Sequence, residues 1–177
     1  MKILIQGLNF SPELTGIGRY TGEMATWLAN RGHIVRVVTA PPYYPSWRID
    51  KEYSSWSYKK EIVDGVAVFR CPLWIPNKVN GLNRVIHLSS FAITSFPILL
   101  TQYFWRPHVV LNIAPAFFSS ILSLVGSILF EAKSWLHVQD FELDAAFGLG
   151  ILKMHKFRQA CTSAERLILK RFDGLST

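Results

Sequence analysis

Residues 1–39 constrain the fold most, because two short apolar runs there bracket a single amphipathic stretch. Ile3-Leu4-Ile5 suits a strand covered on both faces, and Val35, Val37 and Val38 repeat that character one crossover later. Between them Gly16-Ile17-Gly18-Arg19-Tyr20 opens a run in which Ile17, Tyr20, Met24, Trp27 and Leu28 recur at helical spacing, and Gly32 stops it. This is a βαβ unit whose helix begins at the glycines. The exposed N–H groups and positive dipole end of such a helix face the space above the carboxyl edge of the first strand, where open α/β sheets bind phosphorylated ligands.

Two common nucleotide sites are excluded by spacing. A dinucleotide fingerprint needs Gly-x-Gly-x-x-Gly directly after the strand, whereas Thr21 takes the third glycine's place and eight residues separate Gly7 from Gly16. The second strand also runs into Thr39-Ala40-Pro41-Pro42-Tyr43-Tyr44-Pro45, with no acid for ribose hydroxyls. No Gly-x-x-x-x-Gly-Lys-Ser/Thr element occurs, so a P-loop is excluded as well.

Further along, Lys59 to Val63 and Val66 to Arg70 are β-rich runs joined by Asp64-Gly65, a hairpin signal expected at or near a sheet edge. Gly81 introduces a helix over about Leu82 to Tyr103, with Pro97 as a kink or boundary. Val109 to Ile113 reads as a buried strand, Pro115 opens a helix to about Phe130, and Trp135-Leu136-His137-Val138 reads as the next strand. Ile151 to Phe172 reads as a last amphipathic helix, and Asp173 to Thr177 as the entry into another strand. The alternation predicts an α/β fold with a doubly wound, mostly parallel, Rossmann-like sheet.

At 177 residues the chain has room for one such domain and not two. Half the residues are hydrophobic and the mean hydropathy is +0.21, which calls for a large core or for apolar surface that meets a partner. The net charge of +7 favours anionic partners such as nucleotide diphosphates, lipid phosphates or headgroups. The positive charges are spread and no nucleic-acid motif is present, so no nucleic acid is expected. Cys71 and Cys161, far apart and without metal-ligand spacing, read as small hydrophobes in a reducing compartment. The first apolar run is far too short for a signal-peptide core, which points to the cytoplasm.

From His87 to Trp105 there is no formal charge, nearly the length of a membrane span. Ser89, Ser90, Thr94, Ser95, Pro97, Thr101 and Gln102 dilute it, so a packed core helix is the better reading. Peripheral attachment is more plausible than a span: Lys78, Arg84 and His87 flank Trp74, Leu82, Val85 and Ile86 as in a helix lying on anionic lipid. A solvated face over ordinary core fits the same residues.

Three segments carry a resemblance: Asn9-Phe10-x-Pro12-Glu13-x-x-Gly16-x-Gly18-Arg19-Tyr20, Pro41-Pro42-Tyr43-x-Pro45, and Gln139-Asp140-Phe141-Glu142-Leu143-Asp144. Together they resemble the N-terminal half of retaining, family-4 glycosyltransferases of the GT-B fold, of the colanic-acid and exopolysaccharide type. The resemblance implies two facing Rossmann-like domains, the acceptor mainly in the first and the nucleotide sugar mainly in the second. Residues 1–177 are then the acceptor-side domain of a truncated chain, with the C-terminal domain absent. It further implies a nucleotide-diphosphate sugar donor, a lipid-linked sugar acceptor, no metal or other cofactor, and work at the inner face of the cytoplasmic membrane. A fragment that binds a nucleotide, a lipid-linked sugar or a partner protein without turnover is the alternative.

Sugar transfer requires stabilisation of a departing diphosphate and an acceptor hydroxyl placed to lose its proton. Gly16 and Gly18 let backbone N–H groups approach phosphate at a helix N-terminus, and Arg19 adds a full charge unless it points into solvent. Asn9 and Glu13 share that loop and are expected at acceptor hydroxyls. Asp140 and Glu142 follow a strand's carboxyl end, and the resemblance assigns Asp140 to orienting or deprotonating the acceptor. Phe141-Glu142-Leu143 stand where the family often has a proline. His137 is a candidate catalytic group or a hydrogen-bonded core histidine. Tyr43, Tyr44, Trp47, Trp56 and Trp74 have rings suited to sugar stacking or an isoprenoid carrier, and Asn112, Ala114 and Pro115 are expected to line the cleft.

Overall fold

The computed structural model describes residues 1–78, 80–114, 117–139 and 167–177. Strand β1 (Lys2–Gln6), helix α1 (Gly16–Asn30) and strand β2 (Ile34–Thr39) form the expected βαβ unit. The hairpin β3 (Lys59–Val63) and β4 (Val66–Arg70) follows, then α2 (Gly81–Thr101) with a 3₁₀ turn at Gln102–Trp105. Strand β5 (Val109–Ala114), helix α3 (Phe117–Phe130), β6 (Lys133–Val138) and β7 (Gly174–Ser176) complete the described elements.

The seven strands form one sheet in the order β3-β4-β2-β1-β5-β6-β7. Every pairing is parallel except β3 with β4, so the Asp64-Gly65 turn carries the outermost strand, as its sequence predicts. Gly65 has φ +80 and Asp64 φ +48, the left-handed pair that such a two-residue turn requires. The entry into a further strand at Asp173 is also present: Ser134 N–H and Oγ donate to Asp173 Oδ2 at 2.9 Å each, anchoring β7 beside β6.

The sheet buries a core on each face. Ile3, Ile5, Val35, Val37 and Ala25 pack on the α1 side, whereas Leu4, Val38, Val110, Phe91, Leu99 and Phe130 pack on the side of α2 and α3. Alternate residues of β1 and β2 thus feed opposite cores, which explains their uninterrupted apolar runs. A crossover helix between parallel β4 and β5 lies across the sheet. Gly81–Trp105 is long and apolar enough to cross a membrane, yet here Phe91, Ala92, Ser95 and Leu99 seat it on the core. Pro97 lies inside α2 and does not end it.

Two sequence readings need correction. On α1 the buried residues are Gly18, Thr21, Gly22 and Ala25, while Tyr20 and Trp27 are 60% and 54% exposed. The loop before the helix folds onto that small-residue face: a Cβ on Gly22 would stand 2.9 Å from the Cβ of Ser11, so large residues turn outward. Asn112 is fully buried rather than lining a cleft. Its Nδ2 donates to Ser120 Oγ at 2.7 Å and its Oδ1 accepts from Ser123 Oγ at 3.0 Å, in a polar network joining β5 to α3.

Candidate acceptor and phosphate cleft

Two loops meet at the carboxyl edge of the sheet, and a buried carboxylate joins them. Glu13 Oε1 accepts from the backbone N–H groups of Tyr43 and Tyr44, both at 3.0 Å, and Oε2 accepts from Asn9 Nδ2 at 2.9 Å. Burial raises the Glu13 pKa above its usual value, against the opposing effect of the hydrogen bonds from Tyr43, Tyr44 and Asn9. Gly18 belongs to the same arrangement. A Cβ there would stand 2.7 Å from the Glu13 Cβ and collide with its carboxylate, so the glycine makes room for the acid.

Beneath the loops lies Arg70, 1% exposed. Its Nε donates to Glu61 Oε1 at 2.8 Å and its Nη1 to the Ala40 carbonyl at 3.2 Å, while Nη2 donates to the Ser11 carbonyl. One guanidinium therefore holds both loop bases against the hairpin.

Above this foundation is a cleft of about 730 Å³. Leu8 and Asn9 after β1, Tyr43, Tyr44 and Trp47 after β2, and Gln139 after β6 form its floor and walls. Gly16, Ile17 and Tyr20 bring in the start of α1; Arg84, His87 and Leu88 bring in α2. Thr15 caps α1 without a side-chain hydrogen bond and the first turn carries no acid, so the helix's leading N–H groups are not satisfied by its own side chains. Gly16 has φ +58, a conformation that L side chains rarely adopt, and a Cβ would meet only Tyr44 Cε1 at 3.8 Å. Its glycine requirement thus comes from the backbone rather than from crowding.

Of the residues expected at the site, Asn9, Gly16, Tyr43 and His137 line this cleft. Asn9 reaches it with its amide nitrogen held by Glu13. His137 Nδ1 lies 2.9 Å from Ser176 Oγ, which ties the ring to β7. Both Glu13 oxygens are engaged within the protein, and the space before Gly18 is filled by Glu13, so these two residues shape the loop. Arg19 is not brought into the cleft. It is exposed, pairs with Glu23 at 2.8 Å one helical turn on, and borders a separate groove on the outer side of α1. Asp140 and Glu142 lie outside the described residues. Of the five aromatic candidates Tyr43, Tyr44 and Trp47 line the cleft, whereas Trp56 is 82% exposed.

Sequence reasoning missed two cleft residues. His87, read as a surface residue, is 1% exposed; its Nδ1 donates to the Trp74 carbonyl at 2.6 Å and its Nε2 accepts from the Tyr43 hydroxyl at 3.2 Å. Rings of Tyr43 and Trp47 pack edge-on and tilted against it at 5.1 and 5.3 Å. Burial pushes its pKa below the ordinary value, only partly opposed by the Trp74 carbonyl, and nearby Arg84 lowers it further. The other is Gln139, whose side-chain nitrogen and oxygen are buried without a hydrogen-bond partner among the described residues. Such an amide is costly unless something completes its bonding.

Residues 15–177 match the glycosyl transferase 4-like domain family. The chain is 48% identical over 181 residues to WcaI of Escherichia coli (strain K12), whose name assigns it to colanic acid biosynthesis as a glycosyl transferase. That match covers 100% of this chain and 44% of the relative. The chain therefore spans less than half the length of this curated relative. Among solved structures, sucrose-phosphate synthase from Thermosynechococcus elongatus superposes with a TM-score of 0.63 at 11% identity, over 99% of this chain and 41% of that one, which shows a shared fold. With the sheet, the carboxyl-edge cleft and the family match in hand, the chain belongs to the glycosyl transferase 4-like domain family.

Proposed function

We propose that the chain is the acceptor-side domain of a two-domain retaining glycosyltransferase that moves a sugar from a nucleotide-diphosphate donor to a lipid-linked acceptor in bacterial exopolysaccharide assembly. The carrying observation is the cleft at the carboxyl edge, where the start of α1 faces Asn9, His137 and the rings of Tyr43, Tyr44 and Trp47. Helix N–H groups are fixed dipoles that stabilise charge developing on a departing diphosphate without reorganising. The aromatic wall suits a sugar ring, and the hydroxyl and amide groups around it suit the ring's own hydroxyls.

In this reading no metal takes part, and the leaving group's charge falls to the helix end and to a second domain. The role of orienting or deprotonating the acceptor falls to Asp140, as the family resemblance implies, and His137 helps to shape the cleft wall. The work takes place at the cytoplasmic face of the membrane, with the protein peripheral rather than integral.

Steady-state kinetics of the full-length protein test the proposal. Asp140→Asn is expected to lower kcat by about 100-fold or more with donor affinity nearly unchanged, the range usual for a positioned acid–base group. Wild-type turnover in folded Asp140→Asn would remove that residue from the mechanism. Absence of any transfer by the wild-type full-length protein, with a lipid-linked sugar still bound, would favour the binding-module reading.

A further inference from the structure

No carboxylate occurs between Gly65 and Glu131, a stretch that includes all of α2 and α3. The outward faces of these helices are apolar. Leu82, Ile86, Ile93, Phe96, Leu100 and Phe104 form an exposed stripe along α2 and its 3₁₀ extension, with Leu82 and Ile93 71% exposed and Phe104 88%. Ile121, Val125 and Ile128 extend it onto α3, which has no charged residue. Gly126 brings the helices together: a Cβ there would meet Leu99 at 3.3 Å and Phe130 at 3.1 Å.

Beside the carboxyl end of α2 cations and rings alternate across the sheet. Lys60 Nζ lies 5.5 Å from the Phe69 ring, Arg36 stands 5.9 Å from Phe69 and 4.2 Å from Trp105, and Lys2 Nζ is 5.8 Å from Trp105. Among the described residues neither Arg36 nor Lys60 pairs with a carboxylate; Arg36 donates to the Gln102 side chain instead, at 2.9 Å. Phe69 and Trp105 pack on the core that α2 covers, so the row and the stripe share one side of the molecule.

We propose that this side, formed by α2, α3 and the Lys60–Phe69–Arg36–Trp105–Lys2 row, docks on an anionic phospholipid surface; the inference rests on the reading of the acceptor as lipid-linked. The complement of an apolar strip bordered by cations and interfacial aromatics, on helices that carry no acid, is an acyl layer bordered by phosphate headgroups. The contact thus takes in Leu82 and Ile86 of the segment from Trp74 to His87 and extends farther along α2, while His87 itself is buried. The geometry also serves the cleft. The first turns of α2 turn Leu82 and Ile86 outward while giving Arg84 and His87 to the cleft, so an acceptor can keep its tail in the bilayer and its head in the site.

Sedimentation of the purified protein with phosphatidylcholine vesicles, with and without phosphatidylglycerol, tests this. Binding should require phosphatidylglycerol and weaken with salt. Arg36→Gln and Lys60→Gln should each reduce it by about fivefold, and Ile93→Ser with Phe104→Ser should reduce it further. Arg31→Gln, on the α1 side, should leave it unchanged. If the double serine variant does not fold, Phe104→Ser alone, at an 88% exposed position, serves. Binding indifferent to these substitutions would overturn the proposal, as would a dimer that the serine variants dissociate while vesicle binding persists. Transfer to a short water-soluble acceptor separates the two readings. Expected vesicle binding with no transfer to any acceptor sinks the enzymatic reading alone, and intact transfer with no vesicle binding sinks the docking alone.

Discussion

His87 is the residue whose setting departs most from what its neighbours in sequence suggest, and its burial has a measurable consequence. It is held neutral between the Trp74 carbonyl and the Tyr43 hydroxyl, with its pKa below the ordinary 6.5 because burial penalises the imidazolium. The unfolded chain then binds more protons than the folded one below that value, so stability is complete above about pH 6.5 and falls as pH drops toward the folded pKa. His87→Gln keeps a donor for Trp74 and an acceptor for Tyr43 but cannot titrate. Its melting temperature should therefore vary less than the wild type's between about pH 5 and 7 in a calorimetric series; parallel curves would show that His87 does not set the acid slope. Arg70 makes a larger contribution at the same scale. Arg70→Met would release the Ser11 and Ala40 carbonyls and leave Glu61 without its buried partner, a loss of about 3–5 kcal/mol by urea unfolding. A cost under about 1 kcal/mol would mean that the loops are held by other contacts.

At the scale of elements, the coupling of the first loop, the start of α1 and the turn after β2 runs through Glu13 and the space left by Gly18. Gly18→Ala should displace the carboxylate and cost about 1–3 kcal/mol, the usual price of overpacking, while Glu13→Ala removes the acceptor that the Tyr43 and Tyr44 N–H groups share. Because both act on one contact, the double variant should be less destabilised than the sum of the two; additivity within about 0.5 kcal/mol would show that the positions are independent. This coupling also marks the limit of what the sequence discloses. Buried strands, the Asp64-Gly65 edge hairpin and the helix start at Gly16 are local patterns, and the fold follows them. Glu13 reads as a ligand-binding acid because the backbone groups that claim it lie thirty residues away, and Tyr20 and Trp27 read as core because periodicity cannot reveal a loop lying on the small-residue face. Asn112 and His87 are further cases, since the partners that bury them come from other elements. Asn9, Tyr43 and His137 were legible as cleft-lining positions because the carboxyl ends of parallel strands and the loops after them collect at one edge whatever their contacts.

For the molecule as a whole, the cleft is built along one edge of one sheet, and the chain spans 44% of the WcaI relative. Asn9, Gly16 and Tyr43 can meet a ligand from below, and the leading N–H groups of α1 can meet a diphosphate from one side. Sugar transfer needs more than that. Water must be excluded from the reacting carbon, and the leaving diphosphate must be enclosed as its charge develops. In the proposed reading the enclosing donor site belongs to a second domain. Residues 1–177 alone are therefore expected to fold, because both cores are built by the chain's own elements, and to transfer no sugar. Circular dichroism with a cooperative melt would check the first part, and product formation from radiolabelled nucleotide sugars with lipid-linked and soluble acceptors would check the second. Turnover above spontaneous hydrolysis by purified 1–177 would place a complete donor site in this domain, and the division of labour between two domains would have to be abandoned.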